Sequence, residues 1–164
     1  MTPTDVAALV RDDMRALHDA RVVAHVTALL VTPPRQLLLG WAYGAAGEAF
    51  DGFLVLDHAR SGTGIAYCQQ GFGPAAPWGL IATNRESPPS MGRSDEWCPR
   101  FLEAYFESIA PADLDIWRVK ERKTGQDPVW VSDELSWEEA WKQVMALRES
   151  APDYRYDCEH AVTY

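Results

Sequence analysis

Cysteine and histidine are the residues of this chain whose chemistry could support catalysis. Cys98 stands directly before Pro99, and proline is favoured at the first position of a helix. A thiol at a helix N-terminus loses its proton more readily, because the helix dipole stabilises the thiolate. A nucleophilic thiolate also needs a base, for which His58 and His160 are the candidates. These residues outline a hydrolase-type site, whereas the alternative is that Cys98 is simply a small buried side chain.

A metal site is the second chemistry to consider, because Cys158, Glu159 and His160 follow one another. On a strand Cys158 and His160 would share one face, and Cys68 could join them across a sheet. Zinc takes four protein ligands at closed sites and three at catalytic ones, and the chain has no HExxH motif. We therefore predict no metal and no cofactor, and expect Cys158 and His160 to pack beneath a helix.

Two further polar segments have simple structural explanations. Residues 61–64 (SGTG) are rich in glycine but lack the lysine and the following helix of a phosphate loop, so they indicate a hairpin turn. Four basic residues lie close together later in the chain: Arg118, Lys120, Arg122 and Lys123. Because the rest of the chain is acidic, we interpret them as the solvated end of a strand.

The charge of the chain restricts its partners. Among 164 residues there are 24 acidic and 15 basic ones, which gives a net charge of −9. Residues 133–164 hold 8 acids and 3 bases, a local net charge of −5. An acidic surface repels phosphate backbones and attracts basic proteins, so we expect a protein partner and no nucleic acid.

The beginning of the chain and its cysteines indicate a compartment. The first residues, MTPTDVAALVRDD, lack the basic region and apolar core of a signal peptide. No apolar run has the length of a membrane span. Three cysteines, an odd and sparse set, do not make a disulfide framework. We therefore expect a cytoplasmic protein that does not enter a membrane.

Two helices are predicted in the first part of the chain. Thr4 is the expected N-cap of the first, with Asp5 in its first turn. Residues 21–31 are interpreted as the second, because their apolar residues recur at helical spacing. The β-branched residues in that segment leave a strand as the alternative.

Two more helices are predicted after residue 98. The third follows Pro99, and Ser136 opens the fourth with a capping box that Glu139 completes. The expected apolar stripe of the third helix consists of Phe101, Leu102, Tyr105, Phe106 and Ile109. The expected buried face of the fourth consists of Trp137, Ala140, Trp141, Val144 and Met145.

Short extended segments predict six or seven strands. Four follow one another on short links, at residues 37–43, 50–56, 65–70 and 78–83, as in an antiparallel meander. Segments 116–120 and 129–131 are two more, and strict alternation over 154–164 predicts a C-terminal strand. The polar segment 84–94 indicates an exposed loop. This order predicts one α+β domain over residues 1–164, with a mostly antiparallel meander sheet and helices packed mainly on one face.

These observations favour a protein that acts by stoichiometric binding to another protein. No catalytic motif is present, and seven tryptophans supply anchors of the kind found at protein interfaces. In size, charge and general character the chain is similar to immunity proteins that neutralise bacterial toxins. The residues expected to contribute lie in the 85–93 loop and the acidic C-terminal region: Arg85, Arg93, Asp153, Asp157 and Glu159.

Two other functions stay open at this point. The first is the hydrolase-type enzyme described above, against which the missing catalytic motifs weigh. The second is a small-ligand-binding domain with a pocket lined by tryptophan and tyrosine. A homodimer formed through an exposed sheet edge is compatible with any of these functions.

Overall fold

The fold belongs to the predicted α+β class with mostly antiparallel strand pairing. The structure is a computed structural model that describes residues 1–41, 43–84, 88–151 and 154–164. Within these residues four α-helices and eight strands form two antiparallel sheets, one of five strands and one of three. The chain divides into two compact units, residues 1–110 with Tyr164 and residues 111–163. A single domain over 1–164 stays a prediction, and each unit is described by itself.

Two helices open the first unit, α1 (Pro3–Met14) and α2 (Ala20–Leu29). The predicted N-cap of α1, Thr4, is wrong, because Thr2 caps the helix two residues earlier. The Thr2 hydroxyl accepts a hydrogen bond from the backbone N–H of Asp5. The Asp5 carboxylate accepts from the Thr2 backbone in return, which completes a capping box. The helical interpretation of residues 21–31 is confirmed up to Leu29, whereas residues 30 and 31 belong to the strand that follows.

The first four strands of the five-stranded sheet form the predicted meander, and a short fifth strand that the sequence did not predict extends it. The strands of this sheet are β1 (Leu30–Gly40), β2 (Ala49–His58), β3 (Thr63–Tyr67), β4 (Trp78–Ala82) and β5 (Trp97–Cys98), in that spatial order. Residues 61–64 lie at the β2–β3 hairpin as expected, and Gly62 there has a φ of 68°, which favours glycine. The strand β1 begins seven residues earlier than predicted, directly after α2.

Helix α3 (Phe101–Glu107) packs its apolar residues into the core of the first unit. Four of the five predicted stripe residues are buried, but Ile109 lies beyond the end of the helix and is 50% exposed. The carboxylate of Asp13 joins α3 to α1. One of its oxygens accepts from the Leu102 backbone N–H at 2.8 Å, and the other accepts from the Arg100 guanidinium.

The second unit contains the three-stranded sheet and helix α4 (Trp137–Ser150). Its strands are β6 (Trp117–Arg122), β7 (Val129–Trp130) and β8 (Arg155–His160), in the order β7–β6–β8. The predicted strands are thus divided between two sheets, because β6 pairs with β7 and β8. The C-terminal strand ends at residue 160, four residues before the predicted end.

The capping box of α4 is confirmed, but its predicted buried face is too wide. The Ser136 hydroxyl accepts from the Glu139 backbone N–H, and Ala140 and Val144 are fully buried. Trp141 and Met145 are each 45% exposed. A sheet of three short strands covers only a narrow stripe of the helix, so the flanking apolar residues face solvent. No helix of the described residues combines the length and apolar content that crossing a membrane requires.

Candidate binding site: an aromatic cleft in the first unit

The end of β1 is joined to the segment 88–91. The Gly40 backbone N–H donates to the Pro89 carbonyl at 2.9 Å, and the Met91 N–H donates to the Gly40 carbonyl at 2.8 Å. Met91 is fully buried, and its carbonyl accepts a hydrogen bond of 2.7 Å from the indole N–H of Trp97. The prediction of an exposed loop over 84–94 is therefore wrong at Met91, which anchors the segment in the core.

Aromatic side chains gather beside this anchored segment. The Trp41 backbone N–H donates to the Glu48 carbonyl, which holds residue 41 against the chain just before β2. The Trp41 ring meets Phe72 edge-on, with 5.7 Å between ring centroids, and lies 6.4 Å from Phe50. Phe72 in turn lies 5.6 Å from the buried Trp97. Such tilted and edge-on contacts are the favoured geometries of aromatic pairs, so the rings hold one another in place.

An open cleft of about 310 Å³ lies beside this cluster, and we call it the aromatic cleft. The side chain of Tyr43 is 70% exposed there, more than any other large apolar residue among those described. The cleft is lined by Trp41, Tyr43, Phe72, Gly92, Arg93 and Ser94.

The indole N–H of Trp41 is buried and has no hydrogen-bond acceptor among the described residues. A buried donor without an acceptor costs about 1–3 kcal/mol, and such groups are uncommon in folded proteins. Trp41, which lines the cleft, therefore carries a buried donor whose hydrogen bonding is incomplete.

Among the described residues that line the cleft Arg93 is the charged one, and carboxylates lie close to it and to other lining residues. The Arg93 guanidinium forms an ion pair of 2.8 Å with Asp95, which offsets its charge. The Glu96 carboxylate accepts from the Arg93 backbone N–H at 2.9 Å. The Glu48 carboxylate accepts from the Ala45 backbone N–H at 2.8 Å and lies against Gly44, as the ring of Trp41 does. Three carboxylates thus lie close to lining residues, and carboxylates beside aromatic rings attract cationic groups.

Of the residues predicted to bind a partner, Arg93 lies in the aromatic cleft. Arg85 and Asp153 lie outside the described residues. Asp157 and Glu159 lie on β8, opposite the basic cluster on β6: Asp157 pairs with Arg122 at 2.9 Å, and Glu159 pairs with Lys120 at 2.8 Å.

These cross-strand pairs neutralise the acidic residues on which the prediction relied. Burial acts to raise the pKa of Glu159, but hydrogen bonds from Lys120 and Arg122 outweigh it and the pKa is lowered. Lys120 also lies over the ring of Trp130, 4.6 Å from its centroid. The basic cluster is therefore part of a cross-strand network, and the aromatic cleft is the better candidate for contact with a basic protein.

The structure places the proposed catalytic residues in different surroundings. His58 is buried, and its Nδ1 lies 2.8 Å from the Ser61 hydroxyl in the first unit. His160 belongs to the second unit, where its Nδ1 lies 2.9 Å from the Val162 carbonyl. Cys98 lies in β5, and α3 begins only at Phe101, so the thiol does not occupy the expected helix N-terminus.

The pKa of the Cys98 thiol is raised, opposite to the direction that a catalytic thiolate requires. Burial is the main cause, and the negative charges of Glu107 and Glu103 add to it. Burial, assisted by Glu159, raises the pKa of Cys158 further, to about 11. The described residues contain no group of three or more histidine, cysteine or carboxylate side chains suited to a metal ion.

Slow alkylation of both thiols is the expected consequence. At neutral pH we expect iodoacetamide to modify Cys98 and Cys158 more slowly than free cysteine, because thiols with raised pKa values stay protonated. The rate at Cys158 should keep rising with pH up to about 11. Peptide mass spectrometry of timed samples measures both rates. Alkylation of Cys98 at neutral pH faster than that of free cysteine would return Cys98 to consideration as a nucleophile.

Comparisons of the chain with protein-family models, with curated proteins and with solved structures give no match. The site is therefore interpreted from its own geometry. Sequence reasoning placed Trp41 and Tyr43 on one face of a strand, whereas β1 ends at Gly40 and Tyr43 turns to solvent. The signal that could have indicated this is the GAAG turn sequence at residues 44–47, directly after Tyr43.

Proposed function

We propose that this chain binds a basic protein one-to-one through the aromatic cleft, in the cytoplasm, and that this binding neutralises a toxin. The supporting observation is that Trp41, Tyr43 and Arg93 converge in one open cleft. Tryptophan, tyrosine and arginine are the residue types that dominate binding energy at protein interfaces.

Charge supports a basic partner over an acidic one. The net charge of −9 steers cationic proteins toward the chain, and the carboxylates of Glu48, Asp95 and Glu96 lie close to residues that line the cleft. An arginine or lysine of the partner fits between these carboxylates and the faces of Trp41 and Tyr43. The same charge disfavours nucleic acid as the ligand.

Capture from a lysate of the native organism tests this function, with three forms of the chain as bait. Ser94 is exposed and lines the cleft, so Ser94→Arg adds both bulk and positive charge at the site. Ser150→Arg makes the same change at an exposed position at the end of α4. We expect the wild-type and Ser150→Arg chains to retain a basic protein at moderate salt and the Ser94→Arg chain to lose it.

The captured protein is then expressed alone and together with the chain. We expect it to arrest growth alone and to become harmless when the wild-type chain is present in equal amount. If the same proteins bind all three baits equally, the cleft is not the binding site. If a specific partner is captured but is harmless when expressed alone, the chain is a protein-binding domain that does not neutralise a toxin.

A further inference from the structure

A separate cavity lies between α1 and the beginning of β1, and a shift in strand register creates it. Leu30 pairs with Leu56 and Arg35 pairs with Leu54, so the four residues 31–34 of β1 stand opposite the single residue Val55 of β2. This segment therefore leaves the regular ladder. Irregularities of this kind occur often beside ligand sites, because they re-aim the backbone and side chains.

The floor and walls of this α1–β1 cavity are apolar. Val55 is 1% exposed and Val10 of α1 is 3% exposed, so they close the cavity off from the core, and the half-buried Leu30 and Val31 supply more of its accessible apolar surface. The volume is about 320 Å³, within the range of small-molecule sites. The other apolar lining residues are Pro3, Ala7, Pro33 and Pro34.

Arg11 is the charged residue that lines this cavity. Its side chain is exposed, and it makes no ion pair with any other described residue. The next arginine, Arg15 at the C-cap of the same helix, pairs with Asp12 at 3.0 Å. Arg11 is thus a positively charged side chain beside an apolar cavity, and no ion pair with another described residue neutralises its charge. The hydroxyl-bearing Thr4 and Thr32 also line the cavity.

We propose that the α1–β1 cavity binds a small aliphatic monocarboxylate, whose hydrocarbon chain packs on the apolar lining residues, chiefly Leu30 and Val31, and whose carboxylate pairs with Arg11. Apolar walls with one charged group at the mouth select a ligand with one anionic end. Guanidinium and carboxylate groups match in geometry as well as charge. This site is independent of the aromatic cleft and goes beyond the proposed protein binding.

Titration of the full chain with octanoate tests the proposal, monitored by NMR of the leucine and valine methyl groups and by calorimetry. We expect saturable binding, with the largest shifts at Leu30 and Val31. Shortening the ligand to hexanoate should weaken binding about fourfold for each methylene removed. Octylamine, which has the same chain and the opposite charge, should not bind at the same concentrations.

Two matched variants separate the charge from the cavity. Arg11→Gln should weaken octanoate binding about fivefold, as expected for a solvent-accessible ion pair, whereas Arg15→Gln should leave it unchanged. Ala7→Phe fills the cavity from the helix side and should abolish binding. Because Arg11 is exposed, its substitution leaves the fold intact, so the test stands even if Ala7→Phe does not fold.

Equal binding of octanoate and octylamine would overturn the proposal, since it would indicate unspecific adsorption of alkyl chains. Saturation without shifts at Leu30 and Val31, or no binding at all, would also overturn it. Equal affinity of the Arg11→Gln and wild-type chains for octanoate would show that the ligand carboxylate does not pair with Arg11. None of these outcomes depends on whether the aromatic cleft binds a protein.

Discussion

Replacing Met91 with alanine is expected to lower the free energy of unfolding by about 3 kcal/mol, because it removes a large, fully buried side chain from the core. Met91 packs with Leu39, Leu54 and Trp97 in one hydrophobic cluster, so the substitution leaves a cavity among them. Urea unfolding followed by circular dichroism measures the loss.

Met145→Ala is the matched control for this prediction. Met145 is 45% exposed on α4, so its replacement should change the free energy of unfolding by no more than about 0.5 kcal/mol. Met91→Ala should also weaken partner binding, because the buried Met91 side chain holds the segment that carries Arg93 in the core. Equal effects of the two substitutions on stability would contradict the placement of Met91 in the core.

Replacing Tyr43 with alanine is expected to weaken binding of the captured partner by about 2 kcal/mol, which is roughly a thirtyfold rise in Kd. Tyr43 is 70% exposed, so the substitution removes contact area from the partner and almost none from the core. The free energy of unfolding should accordingly stay within about 0.5 kcal/mol of the wild-type value. Isothermal titration calorimetry measures the affinity.

Tyr154→Ala is the control, since Tyr154 is an exposed tyrosine of the second unit. Its replacement should leave the affinity unchanged. If Tyr154→Ala weakened binding as much as Tyr43→Ala, the aromatic cleft would not be the centre of the interface.

Helices proved predictable where their ends carry specific hydrogen bonds. Ser136 and Glu139 form the capping box that their spacing indicates, and α4 begins there. Thr4 and Asp5 predict a cap at Thr4 with an acid in the first turn, whereas Asp5 is the partner of Thr2 in a capping box. Local chemistry therefore identifies a helix more reliably than it fixes its first residue.

Burial was harder to predict, because it depends on what the rest of the chain places opposite each residue. The segment around Met91 is mostly polar or rich in proline, which predicts an exposed loop. A backbone hydrogen bond to the distant Gly40 nevertheless places Met91 in the core. Trp141 continues the apolar stripe of α4, yet the small sheet beneath the helix leaves it 45% exposed. Periodicity identifies an apolar face but does not give the size of the surface that covers it.

The aromatic cleft could be predicted only in its parts. The sequence indicated that Arg93 and some of the tryptophans could bind a partner, and Arg93 does line the cleft. Trp41 and Phe72 are 31 positions apart in the sequence, and only the meander of β1, β2 and β3 brings their rings together. Asp157 and Glu159 were predicted to bind a partner because the linear sequence shows only their negative charges. Pairing of β8 with β6 brings basic side chains opposite them and neutralises those charges.

Site-specific photo-crosslinking tests whether a basic protein contacts the aromatic cleft. A photoreactive phenylalanine analogue replaces Tyr43 in one form of the chain and Tyr154 in another, and each is irradiated in a lysate of the native organism. We expect one dominant crosslinked product at position 43, which contains a basic protein, and no such product at position 154. The same product at both positions, or crosslinks at position 154 alone, would show that the partner does not bind at the aromatic cleft.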